Sequence, residues 1–418
     1  MKKILLLSSL LIITLSGCLR DERSETRKFV QFTPIMTTVD QFRTKEIRTF
    51  NGFALKNPGK IYFYKNYLLI NEAGKGIHFF DISNPSSPKE VIFYSILGNF
   101  DMAIRNDLLY ADNVIDLLQI DIKDVVKPKI VKRIENYNNQ YTAPNHSHLA
   151  YYEKTNVVQE LDCTQNNGNF FFQNGGFWAD VNMVRRDVLS PGGANNNAFG
   201  NSNTGVGGST ARFTFAQKHL YTVDQSTIRT WDPLTLQKLD ERQLGWGIET
   251  IYPFKDKLFI GSNTGMFIFT IEQNGQPSLQ STFTHARACD PVVADDETAY
   301  VTLRTGTNCA GNNNQLDVID IKTLTAPKLL KTIPMLNPRG LALHNGKLYI
   351  CEGQYGFKVF SVNKDDVKEI SFDKNLKSED VIVLDEKNTL LIGTEGFYML
   401  DVTNANSIKV LSSILIEK

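Results

Sequence analysis

The chain carries no excess charge of either sign, because 45 Lys and Arg balance 45 Asp and Glu. Without a basic field to hold a phosphate backbone, nucleic acid is not an expected partner. It also lacks an apolar run long enough to span a bilayer as a helix, which takes roughly 20 residues. Cysteine is sparse, five in 418 residues, and no CxxC pair, HExxH motif, phosphate-binding loop or dinucleotide fingerprint occurs. Those absences remove the common zinc, redox and nucleotide sites. Ser202 follows Gly200 at nucleophile-elbow spacing but lacks the strand–turn–helix context that chemistry needs. His146 and His148 would share one face of a strand, yet no third ligand stands near, so the pair reads as part of a polar loop.

What is present begins at the N-terminus. Lys2 and Lys3 precede a short apolar stretch, residues 4–15, that ends in Leu15, Ser16, Gly17 and Cys18. Charge, apolar run and small residues in this order fit a signal peptide over 1–17. The last four residues resemble the lipobox of bacterial lipoproteins, which implies lipidation of Cys18 and partnership with a membrane through that anchor. Residues 19–28 are almost wholly polar and read as a flexible tether, so 18–43 is expected to be a lipidated tether leading into the body. Arg20, Asp21 and Glu22 resemble the short signal that sends Bacteroidetes lipoproteins to the outer face of the outer membrane. The same three residues also read as a plain solvated spacer, so the expected location is the outer membrane, with the body facing either the cell surface or the periplasm.

The body repeats. An apolar run, an Asp, a turn, usually a Pro and a second apolar run recur at Asp81 with Pro88, Asp121 with Pro128, Asp320 with Pro327, and Asp401. Ahead of each lies a pair of short apolar runs, the second often holding a tyrosine: Tyr110, Tyr300, Tyr349. Tyr, Ile, Val and Phe suit a packed pleated surface, and Asn-Gly or Asn-Asp pairs suit tight hairpins. The unit is thus four short strands. Its Asp can accept backbone N–H bonds in the turn that follows.

The residues opening each first strand are Gly59, Asp101, Ala211, Glu249, Asp290, Gly340 and Asp380, in steps of 42, 110, 38, 41, 50 and 40 residues. Four-stranded units near this period indicate an all-β chain, a single β-propeller over 44–418, most simply with seven blades. Six or eight stay open, because the long step contains a strand-like run over 156–163. Residues 44–50 are expected to add a strand that helps close the ring.

Residues 76–88, 119–128, 316–327 and 396–406 resemble the LVIVD repeats of bacterial propeller lipoproteins, of Bacteroidetes type. The resemblance covers most of 57–418 outside the long step. It implies a propeller at the cell envelope and supplies no reaction.

The long step marks an insertion, 137–210. From 191 to 209, 11 of 19 residues are Gly or Asn, which reads as an excursion from the ring that does not order itself easily. Ahead of it stand Phe170, Phe171, Phe172, Phe177 and Trp178. These aromatics either pin the loop to its own blade or present a contact surface.

Outside the cytoplasm disulfides are permitted. Cys289 opens a first strand and Cys309 follows the second strand of the same blade, so both ends share a face and a disulfide is expected. Cys351, inside an apolar strand, reads as a small core residue. The same face gathers Asp101, Glu249, Asp290 and Asp380 at strand starts, with Glu72, Asp112, Glu352 and Glu395 in loops after second strands and Arg339 as the neighbouring cation. Either each acid caps its own turn, or some point inward and hold a cation. Oxygen ligands of this kind suit Ca²⁺.

The function expected is a non-enzymatic binding or scaffold module with an envelope protein or glycan as partner. The alternative is a metal-assisted hydrolase or lyase acting on a glycan or lactone at the channel mouth, by analogy of fold alone.

Overall fold

The computed structural model describes residues 24–137, 147–162, 170–173, 176–180, 193–194, 204–263, 265–284, 291–304, 314–364, 366–393 and 395–417. Two compact units separate: Met1–Thr33 with Glu153–Val184, and Pro34–Tyr152 with Arg185–Lys418. Among the described residues, no helix is long and apolar enough to cross a membrane.

The larger unit is a seven-bladed propeller, each blade a four-stranded antiparallel meander from contiguous sequence. The first strands are Pro58–Tyr64, Met102–Arg105, Phe213–Ala216, Ile248–Phe254, Val292–Ala294, Leu341–His344 and Asp380–Val383. They touch their neighbours around the ring and so line its axis. Second and third strands are buried along nearly their whole length, whereas fourth strands are mostly half-buried or exposed.

The core lies between blades. One apolar cluster joins blades 1, 2 and 3, another blades 3 and 4, another blades 4, 5 and 6, and another blades 6 and 7. A fifth, with Ile61, Leu68 and Ile70 against Ile382, Leu390 and Met399, welds blade 7 to blade 1. That cluster, with Glu417 N–H donating to Leu55 O at 2.9 Å, closes the ring. The strand expected to help, Arg48–Phe50, pairs instead with Lys89–Ser95 at the outer rim of blade 1. An unpaired edge lies at the rim, and three residues are enough to cap it.

The repeated residues have defined work. Tyr110 donates to Pro233 O at 2.6 Å and Tyr221 to Gly275 O at 2.7 Å, each bolting its blade to a turn of the next. Asp81, Asp121, Asp320 and Asp401 each accept the backbone N–H two residues on, at 2.8–3.0 Å, which sets the turn into the fourth strand.

Among its described residues, the 137–210 segment adds no eighth blade to the ring. Its last part, Gly193–Ala194 and Val206–Thr210, is a pair of strands added to the inner edge of blade 1, with Val206 opposite Phe63 and Gly207 opposite Tyr62. These strands touch first strands on both sides of the ring, from blades 1, 2 and 4 to blades 5, 6 and 7, so they occupy the central channel. Glycine permits this. A Cβ at Gly205 would lie 2.2 Å from the Tyr62 ring and 2.7 Å from Phe63 O. The strand is fixed by Tyr62 Oη donating to Gly205 O at 3.0 Å and by Arg105 Nε donating to Thr204 Oγ1 at 2.8 Å. The expectation of a loose excursion is therefore corrected for this part. Backbone pairing orders a Gly-rich strand that has little apolar surface to bury.

The smaller unit holds a sheet in the order His148–Asp162, Ser24–Thr37, Gly176–Asp180, Phe170–Gln173. One expectation changes here. The polar stretch after Cys18 is a strand from Ser24 onward, because sheet pairing satisfies the backbone whatever the side chains are. Phe170–Phe172 and Phe177 lie in a hairpin of this sheet, with Phe172 opposite Phe177.

Candidate functional site

The mouth face carries the starts of first strands and the loops after second strands. Acids of the second kind turn inward on their own blades. Glu72, buried, accepts the N–H groups of Lys56 at 3.0 Å and Asn57 at 2.9 Å. Glu352, buried, accepts those of Leu336 at 3.1 Å and Asn337 at 2.7 Å. Asp112 accepts those of Phe100 at 2.8 Å and Asp101 at 3.0 Å. In all three the carboxylate ties down the loop leading into the first strand of its own blade. Two of them also meet a basic side chain on the third strand at the same repeat position. His78 stands between Glu90 at 2.9 Å and Glu72 at 3.8 Å, and Lys358 between Glu369 at 3.1 Å and Glu352 at 3.2 Å. Glu395 lies at the surface and pairs with Lys377 at 3.0 Å.

The strand-start acids differ. Asp101, 3% exposed, accepts its neighbour Met102 N–H at 2.7 Å and the Arg212 N–H of blade 3 at 2.5 Å. Asp380 is fully buried, accepts the Val381 N–H at 2.9 Å, and lies so close to Gly340 that a Cβ there would meet its Oδ1 at 2.2 Å. Glu249 keeps partial exposure, and its carbonyl accepts Arg212 Nε at 3.4 Å.

Between them stands Lys60, one residue past the start of blade 1. The residue is partly exposed, while its ammonium is enclosed by protein. Desolvation pulls its pKa down to about 8, against the opposing pull of Asp101, Asp380 and Glu249 and with the aid of Arg212. Burial pushes Asp101 up, with Lys60 as the chief opposing influence. Burial likewise lifts Asp112 to about 7, outweighing its backbone N–H bonds.

The mouth is thus a mixed-charge cluster and not an acid ring with Arg339 as its one cation. Lys60 and Arg212 lie among the acids, and buried Arg339 and Arg304 act together on Glu379. The chain brings its own positive charge, Lys60 and Arg212, to the place where one of the two readings put a cation. Among the described residues, no three His, Cys, Asp or Glu side chains could share a metal ion. Asp290, Cys18, Cys163, Cys289, Cys309 and His146 lie outside the described residues. His148 packs edge-on against Phe42 with ring centroids 5.9 Å apart, a core position. Cys351 is a buried free thiol, as its apolar strand implied.

Lys60 and Arg212 are not among the acids that the repeat alignment picks out, because neither opens a first strand. The signal was there. Both residues immediately follow aligned openings, Gly59 and Ala211, where Met102, Thr250, Leu341 and Val381 stand in other blades.

The LVIVD repeat family model matches residues 59–95, which are the four strands of blade 1. No curated protein matches the chain. Among solved structures, the computationally designed Ika8 protein is similar at 11% identity and a TM-score of 0.50, over 90% of this chain and 91% of that one. Hsv2 of Kluyveromyces lactis aligns at 10% identity and a TM-score of 0.46, over 86% and 98%. A chain in an S. cerevisiae complex of Dbp5 with Nup159 and Gle1 aligns at 10% identity and a TM-score of 0.36, over 49% of this chain and 61% of that one. Such identities speak to fold alone. The molecule is a seven-bladed β-propeller with an LVIVD repeat.

Proposed function

We propose that the chain is a binding or scaffold module without catalytic activity, held at the outer membrane by lipid on Cys18, with the mouth face as its binding surface. The observation carrying this reading is the cluster of Lys60, Arg212 and Glu249. These three keep solvent contact above the buried carboxylates of Asp101 and Asp380. Hydrogen-bonding groups of both kinds, held over a buried charge layer on a rigid ring, form a preorganised polar site. The central strand from the insertion supports a surface site in place of a through-channel. The hydrolase or lyase alternative rests on fold analogy and gains nothing from this geometry.

Two experiments test the reading. Mass spectrometry of protein from the envelope is expected to find a diacylated N-terminal Cys18; an intact Met1 or an unmodified Cys18 overturns the anchor. Capture from envelope extract with the intact protein is expected to retain a partner that is lost with the Lys60→Met, Glu249→Gln double variant. Equal capture by the two moves the binding surface elsewhere.

A further inference from the structure

The loop joining blade 3 to blade 4 holds Trp246 in solvent at 79% exposure. A single exposed apolar residue is ordinary. The backbone beneath this one is not. Gly245 and Gly247 have φ of +99° and +95°, a region that side chains disfavour. A Cβ at Gly247 would meet the Asn263 side chain at 2.2 Å. The loop is fastened on both sides of the indole. Leu244 N–H donates to Ser226 O at 2.8 Å, Gly247 N–H to Gln225 O at 2.9 Å, and Asn263 N–H to Gly247 O at 2.8 Å. The indole is therefore presented by an ordered turn, and its outward position is a property of the fold.

Trp246 precedes Glu249 by three residues, so their Cα atoms are no more than about 11 Å apart. That spacing suits one or two six-membered rings. The Asn263 side chain lies against Gly247, and Glu249 leads on to the charged cluster, its carbonyl accepting from Arg212 Nε at 3.4 Å and its charge acting on Lys60. Donors and acceptors are both present. Charge nearly cancels: Lys60 and Arg212 face Asp101, Glu249 and Asp380, so no positive surplus exists to hold a phosphate or sulfate.

A flat aromatic face beside mixed donors and acceptors of low net charge matches an uncharged, polyhydroxylated ring. The C–H bonds on one face of a pyranose are drawn to the negative face of an indole, and its hydroxyls both donate and accept. We propose that Trp246, with Glu249, Arg212 and Lys60, forms a subsite for a neutral sugar ring that stacks on the indole. The inference rests on the mouth face as binding surface and names its ligand class.

The test is calorimetric titration of the intact protein with maltohexaose, cellohexaose, xylohexaose and chitohexaose, followed in parallel by tryptophan emission. At least one of them is expected to bind and to shift the emission. Trp246→Ala then weakens binding at least about tenfold, as loss of an aromatic anchor does. Trp246→Phe weakens it less, and Glu249→Gln weakens it without altering the melting transition. If none of the four binds at millimolar concentration, or if binding survives Trp246→Ala, the inference is overturned. Should sugars fail while the Lys60→Met, Glu249→Gln variant still loses its envelope partner, the binding-module reading stands and only the sugar subsite falls.

Discussion

Glu72 and Asp101 stand on the same face of neighbouring blades, and their carboxylates meet different partners. Glu72 takes two backbone N–H groups from its own blade and faces His78 of that blade. Asp101 takes an N–H from blade 3 and feels Lys60 of blade 1. The same division runs round the ring. Glu352 and Asp112 behave as Glu72 does, whereas Glu249 and Asp380 join Asp101 around Lys60. Position within the repeat decides the role. A loop after a second strand reaches back only to its own blade, while strand starts converge on the axis and can share a partner. A carboxylate on this face therefore serves its own blade or the shared cluster according to which of the two places it occupies.

That contrast is breakable. Glu352→Ala leaves Lys358 with one partner and strands two N–H groups, so it is expected to cost about 3 kcal/mol, read from the urea midpoint at constant slope. Gly205→Val drives a side chain into Tyr62 and is expected to cost about 2 kcal/mol by the same measurement, because the central strand has no room. Tolerance of that change would return the segment to the status of a loose excursion. Glu249→Gln, at a partly exposed site, is expected to change stability by less than about 1 kcal/mol while abolishing capture of the partner. A loss equal to that of Glu352→Ala would erase the division between the two sets.

The smallest effect is in pH dependence. The folded pKa of Asp112 is raised from 3.8 to about 7, so the native state holds its proton more tightly than the unfolded chain. The stability this contributes is present below pH 3.8 and is lost as pH rises through about 7. Asp112→Asn is expected to flatten the decline in melting temperature across that window. An unchanged profile would show that the carboxyl is ionised throughout.

Much of the ring was legible from residues alone. Gly59 to Asp380 mark strand starts because a propeller repeats its turns. Asp81 and its equivalents could be assigned to turns because a carboxylate two residues before an N–H has one obvious use. The tyrosines were legible as strand residues but not as bolts, since their acceptors, such as Pro233 O, lie in the next blade. The fate of 193–210 was hidden for a different reason. Composition reports how much apolar surface a segment can bury, and a strand paired along Tyr62 and Phe63 needs very little. Lys60 escaped because its significance comes from five residues on five blades, which only closure of the ring brings together.

The central claim is that the mouth face encloses Lys60 among Asp101, Glu249, Asp380 and Arg212 while leaving it in contact with water. The most direct measurement is the titration of lysine side chains by NMR in protein carrying ¹³Cε-labelled lysine, with Lys60→Met to assign the signal. The account predicts one lysine with a midpoint near 8 that vanishes in the variant and moves when Glu249 is replaced by Gln. A Lys60 signal titrating with the ordinary lysines near 10.5, indifferent to Glu249, would contradict it.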